Sequence, residues 1–219
     1  MAKGQTEVSA GAAGPAATAV WEFDNPRIGG HPTRVVGNPK FKKTGSGTIV
    51  EFGGTTDALV VETHPLAGAH EFTVEAVFRP DPAGTEEQRF LHLDTDESNR
   101  MLLEMRVLGS DMWFLDTFVL TNGTGCTLYA EEHRHPLGVW YHVALVVDGS
   151  EMRHYVNGKQ EMSAPLKYVP VEQGKTSIGC RMNRVSWFKG AIRSLRFSQR
   201  ALTPEEMTVV ISDPPVTWR

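Results

Sequence analysis

The stretch from Trp140 to Lys159 reads WYHVALVVDGSEMRHYVNGK and holds two chain-reversal signals, Asp148-Gly149 and Asn157-Gly158, nine residues apart. Each pair tolerates the positive φ angles that a tight hairpin demands, so each instructs the chain to turn back on itself. The segment between and around them is therefore a meander of at least three strands. A two-residue first turn predicts that Val147 faces Ser150, Leu145 faces Met152, Val143 faces His154 and Tyr141 faces Val156, on a mostly apolar side. A four-residue turn would move every pairing, and a slip of one residue would exchange the faces. The other side carries Trp140, His142, Ala144 and Val146 against Glu151, Arg153 and Tyr155, which suits water or a ligand.

The same vocabulary runs through the chain. Short runs rich in Val, Ile, Phe, Trp and Tyr recur between Gly, Pro, Asn and Asp clusters, the signature of a sandwich or barrel. Strands are predicted over 19–23, 48–52, 58–62, 71–79, 88–93, 100–107, 112–120, 126–130, 140–147, 152–156, 176–180 and 190–198. In 71–79, Phe72, Val74, Ala76 and Phe78 alternate with Thr73, Glu75, Val77 and Arg79, so one face is apolar and the other wet. One short helix is announced by Thr203-Pro204-Glu205-Glu206, with a threonine N-cap, proline at the first helical position and glutamate closing a capping box. HPLAGAHEFTVEA from His64 and HPLGVWYHVAL from His135 echo each other, and are read as two similar turns entering neighbouring strands rather than as a duplication.

With 219 residues the chain can bury one large β core. No linker divides it, so residues 1–17 are expected to form a flexible small-residue arm and 18–219 a single β domain. A net charge of −4 with interspersed signs gives no footprint for nucleic acid. No apolar run reaches the length of a membrane span, and the opening residues lack the hydrophobic segment of a secretory signal. Cys126 and Cys180 form one disulfide if the chain is exported or remain two buried thiols if it is not, the thiols being favoured because neither lies in a compact cysteine framework.

Five pieces in fixed order, FTVEAVFRP, WYHVALVVDG, MRHYVNGK, TSIGCR and WFKGAIRSLRFSQRALTPEEM, resemble the laminin-G-like branch of the concanavalin A-like lectin/glucanase superfamily over about Asp57 to Met207. The resemblance implies an all-β jelly roll, a sandwich of two antiparallel sheets, one of them concave, in which the two glycine turns are scaffold. Two departures limit what carries over. Arg193-Ser194 stand where relatives often have an acidic pair, and Val77 stands where they often have Trp.

Chemistry is sparser. The alternating Glu-x-Asp-x-x-Glu pattern of the glycosidase branch, which would put carboxylates on one face, is missing. Glu104 and Asp116 are the carboxylates that would approach if their strands are neighbours. Asp94, Asp96 and Ser98 in LDTDESN match alternate EF-hand ligands, but Asn99 replaces the required glycine and Met105 the bidentate glutamate. No cofactor is expected, with a rim calcium left open by the resemblance. His133 and His135 lack a third ligand at zinc spacing, and His154 on the predicted core face reads as a buried, hydrogen-bonded histidine. No nucleophile elbow or phosphate-binding glycine loop is present.

The remaining positive case is sugar recognition, which needs aromatic faces against C–H surfaces and planar polar groups for hydroxyls. Alternation puts Phe90 with His92 and Arg89 with Leu91, Glu104 with Arg106, and Trp113, Leu115 and Thr117 opposite Phe114, Asp116 and Phe118. The predicted ligand set is Glu104, Arg106, Asp116, Arg181, Asn183 and Trp187, with Trp113 as a further platform. The expected function is a non-catalytic carbohydrate-binding module on or outside a bacterial-type cell surface, extracellular or periplasmic, with a cytoplasmic location left open. The rivals are a glycoside hydrolase or polysaccharide lyase on the same fold, and a protein-interaction domain.

Overall fold

A computed structural model describes residues 17–207. Its strands are β1 (Thr18–Trp21), β2 (Thr33–Val36), β3 (Lys40–Thr44), β4 (Gly47–Gly53), β5 (Ala58–Val61), β6 (Phe72–Pro80), β7 (Glu87–Asp96) and β8 (Asn99–Leu108), followed by β9 (Met112–Thr121), β10 (Thr124–Tyr129), β11 (His135–Pro136), β12 (Tyr141–Val147), β13 (Glu151–Val156), β14 (Lys159–Pro165), β15 (Lys175–Ile178) and β16 (Lys189–Ser198). They make two antiparallel sheets. Sheet A runs β14-β13-β12-β6-β16-β4-β3 with β1 beside β16, and sheet B runs β10-β9-β8-β7-β15-β5-β2 with β11 beside β9. Apart from Ala17, the expected N-terminal arm lies outside the described residues.

The alternation read in 71–79 sets the layering. Phe72, Val74, Ala76 and Phe78 join the core between the sheets, where Phe78 stacks on Phe90 at 4.5 Å and meets Trp113 edge-on at 5.2 Å. A buried polar pair crosses the layers at 3.1 Å, Thr117 Oγ1 to His154 Nδ1. Burial holds the His154 imidazole down at about 3, so it stays neutral there. The two echoed segments lead into β6 and β12, which pair directly, with Tyr141 opposite Phe78 and Val147 opposite Phe72.

Two local expectations are corrected. The first reversal of the meander closes later than a turn at Asp148-Gly149 would, with Val147 opposite Met152, Val143 opposite Val156 and the Asp148 N–H donating to the Glu151 carbonyl at 3.2 Å. Asp148 explains it: its Oδ1 accepts from the Ser150 N–H at 3.0 Å and the Glu151 N–H at 2.9 Å, which rolls the chain into this later turn. Because the pairing moves by two residues, the faces are kept. At Asn157-Gly158, where φ is 50° and 78°, the turn is the tight two-residue form. The expected C-terminal helix is only a 3-10 turn, Pro204–Glu206, with the Thr203 N–H donating to Glu206 Oε2 at 2.9 Å.

Both cysteines are free thiols. Cys126 is on β10 and Cys180 follows β15, four strands apart in sheet B, which is about 19 Å at normal strand spacing and far beyond disulfide reach.

Candidate functional site

The outward face of sheet B carries charge where three long strands lie side by side. Strand alternation turns Glu104 and Arg106 of β8 outward together with Phe114 and Asp116 of β9, and the register sets Glu104 opposite Asp116 and Arg106 opposite Phe114. On the other flank Glu87 lies opposite Arg106 and Arg89 opposite Glu104. A bulge after Arg89 breaks the expected alternation of β7. Phe90 and Leu91 are both buried in the core, while Arg89 and His92 both face outward.

The result is a closed ion cluster. Arg106 donates from Nε to Asp116 Oδ2 at 2.8 Å and from Nη1 to Glu87 Oε2 at 2.7 Å. Arg89 reaches Glu104 Oε2 at 3.2 Å and also bonds Glu87 and Ser186. Ser186 sits on the loop after β15 and donates to Glu87 Oε1 at 3.3 Å. Glu104 and Asp116 are only 3% and 2% exposed, although they stand on the outer side of the sheet. Burial pushes the Glu104 carboxyl up to about 7, with Asp116 adding repulsion and the arginines offsetting part of it. Burial likewise raises Asp116. Burial also acts on Glu87, but its bonds to Arg89 and Arg106 outweigh it and hold that carboxyl below its ordinary value.

One aromatic ring stands in the open beside this cluster. Tyr129 of β10, opposite Asp116 in register, is 49% exposed. Phe114 buttresses it edge-on at 4.8 Å, and the Arg106 guanidinium lies 5.7 Å from its ring centre. Roughly 13 Å further along the strands, Arg100 covers Phe118 at 5.4 Å. Nearby, His92 Nδ1 accepts from the Met182 N–H at 2.9 Å while Nε2 lies 3.3 Å from Asp94 Oδ1. The face thus offers a flat apolar ring, a guanidinium fixed by two carboxylates, and a fringe of carboxylate and hydroxyl acceptors.

The sequence-predicted residues separate into three groups. Glu104, Arg106 and Asp116 are brought together. Arg181 is half-buried on the flanking loop, where its charge acts on His92 and Asp94, and Asn183 is exposed and Trp187 half-buried on that same loop. Trp113 is corrected: it faces the core, is 0% exposed, and packs against Phe78, Tyr141 and His135, so its ring cannot meet a ligand. Glu87, Arg89 and Ser186, from the candidate stretches EQRFLHL and CRMNRVSWFKG, stood outside the predicted set, and Tyr129 was missed. For Tyr129 a signal existed, since alternation in β10 puts it opposite the buried Leu128; for the others only cross-strand register reveals the cluster. The LDTDESN segment forms the tip of the β7–β8 hairpin, where Asp96 accepts from the Ser98 N–H and the Asn99 amide.

No curated protein matches the chain. Among solved structures, domain 4 of AbnA, a GH43 extracellular arabinanase from Geobacillus stearothermophilus, in complex with arabinotriose, is 18% identical over 88% of this chain and 97% of that one, with a TM-score of 0.69. The botulinum neurotoxin serotype G binding domain is 10% identical over 86% of this chain and 49% of that one, at 0.66. The binding domain of botulinum neurotoxin DC in complex with SialylT is 13% identical over 80% and 44%, at 0.60. The chain spans about half the length of the toxin domains, and at these identities the likeness is one of fold. The Laminin_G_3 family model matches residues 52–208. On that match and this architecture, the chain belongs to the concanavalin A-like lectin/glucanases superfamily.

Proposed function

We propose that the outward face of sheet B recognises carbohydrate and that the chain is a non-catalytic binding module. The observation that carries the reading is the pairing of the exposed Tyr129 ring with an Arg106 guanidinium already held by Asp116 and Glu87. A sugar ring presents C–H groups that suit the tyrosine face and hydroxyls that suit a planar donor. A guanidinium fixed before binding loses little freedom when the ligand arrives. The arabinotriose complex of the structurally similar arabinanase domain supports the ligand class. An extracellular, periplasmic or cell-surface setting fits that neighbour, and no helix among the described residues is long and apolar enough to cross a membrane.

One observation favours a second reading. Glu104 is raised to about 7 and stands opposite Asp116, a second buried carboxylate on the adjacent strand that takes the direct Arg106 hydrogen bond, a proton-holding acid beside a cation-paired partner as a glycosidase would use. A glycan array that includes arabino-oligosaccharides, run with matched reducing-sugar assays, separates the two. Binding without turnover is the expected result. Turnover abolished by Glu104→Gln would establish the hydrolase, and silence in both assays would overturn both readings.

A further inference from the structure

At the edge where β2 and β3 end the two sheets, the space between the layers is not filled by the chain. Phe41 pairs with the core residue Val50, and Val35 with the core residue Leu59, so both point into the sandwich. Yet Phe41 is 43% exposed and Val35 52% exposed. With Phe23, Ile28 and Leu59 they wall a cleft of about 280 Å³. Inward-facing apolar side chains left wet on both edge strands are a standing cost that a ligand's apolar surface would relieve.

We propose that this cleft binds the apolar body of a small neutral amphiphile, an alkyl or aryl group carrying an uncharged hydroxylated head. Size sets the first limit: the volume lies between the roughly 150 Å³ that accepts benzene and the roughly 300 Å³ at which drug-sized pockets begin, too little for a peptide strand. Charge sets the second. Lys43 and Asp24 both line the cleft, and neither makes an ion pair among the described residues. The lining therefore carries no net charge while offering a donor and an acceptor. A carboxylate head would gain Lys43 but be repelled by Asp24, and an ammonium head the reverse, so each charged head leaves one lining charge unsatisfied, whereas hydroxyls both donate to Asp24 and accept from Lys43. The Thr33 hydroxyl is already committed, accepting from the Ile28 N–H at 3.1 Å and donating to the His31 carbonyl at 3.1 Å. The Thr48 hydroxyl makes no hydrogen bond among the described residues and adds a further partner for the head. The cleft lies at the β2 end of sheet B and Tyr129 at the β10 end, so this proposal stands independently of the carbohydrate reading.

The test is a titration of the isotope-labelled chain, followed by amide chemical shifts, with n-octyl glucoside kept below its micelle concentration. Glucose, octanoate and octylammonium are run alongside. Octyl glucoside is expected to shift amides in residues 23–28, 33–36 and 41–48, and glucose to leave them unmoved. The two charged amphiphiles should bind about tenfold more weakly. Phe41→Ser should weaken octyl glucoside about ten- to a hundredfold, and Val35→Trp, which fills the cleft, should abolish its binding with the melting temperature kept. Tyr129→Ala should change nothing here. The proposal is overturned if no ligand shifts these amides, if the charged amphiphiles bind as tightly as the glucoside, or if Val35→Trp leaves the affinity intact.

Discussion

The outward faces of the two sheets carry buried carboxylates in opposite circumstances. On sheet A, Glu75 accepts from His142 Nε2 at 3.0 Å and pairs with Arg196 at 3.1 Å, and both Glu75 and His142 are almost fully buried. The chain itself provides a cover: Leu202 and Met207 pack on Ala144, Val146 and Tyr155, and the Leu202 N–H donates to Thr73 Oγ1 at 2.9 Å. On sheet B the carboxylates are as deeply buried, but Arg106 and the half-exposed Tyr129 form the rim. A buried ion cluster is thus no mark of function by itself. What lies over it decides whether it fastens the chain down or presents a surface.

That contrast can be broken most severely by removing one charged partner from either face. Arg106→Leu strands the buried Asp116 and leaves Glu87 and Glu104 with Arg89 alone as their cation, and should cost about 3–5 kcal/mol in chemical denaturation as well as eliminating carbohydrate binding. Glu75→Ala should cost about 3 kcal/mol and leave binding untouched, since its cluster lies on sheet A and the Tyr129 face on sheet B. Loss of binding in the Glu75 variant at a concentration where it is folded would erase the distinction between the faces.

A smaller effect follows from Glu104, whose folded carboxyl is raised from 4.5 to about 7. A group raised on folding stabilises most below its unfolded value, and its contribution is lost as the pH climbs through its folded one. Between pH 4.5 and 7 it should therefore remove on the order of 3 kcal/mol. His64 and His154 act in the opposite sense, because burial holds them near 4 and 3 and stability falls as the pH drops below 6.5. The difference between wild type and Glu104→Gln across pH 4.5 to 8 isolates the glutamate, and a flat difference would contradict its burial. Smallest in stability is Tyr129→Ala, expected within about 0.5 kcal/mol, while carbohydrate affinity should drop about tenfold or more.

Much of this architecture was legible because the central strands alternate cleanly. The four strands not anticipated, β2, β3, β11 and β14, are the edge or outlying ones. KFKKT is exposed at every position and KQEMSAP at most of them; Phe41 alone in the first, and Met162 and Ala164 in the second, face the core, too few apolar residues to read as a strand. Such lysine-rich edges resist pairing with other chains, which is also why they look like loops in sequence. Within the site, Glu104, Arg106 and Asp116 were visible because spacing of two fixes a common face. Glu87, Arg89 and Ser186 were not, because the bulge after Arg89 and the reach of the Ser186 loop are set by packing, not by local pattern. Trp113 shows the converse error: its alternation was right, but the face it occupies is the core.

The most direct test is amide shift mapping of the full chain with an oligosaccharide that it binds on the array. The account predicts perturbations centred on Tyr129, Phe114, Arg106 and Asp116, abolished in Tyr129→Ala. Perturbations centred instead on Glu75, His142 and Arg196 of sheet A would contradict it.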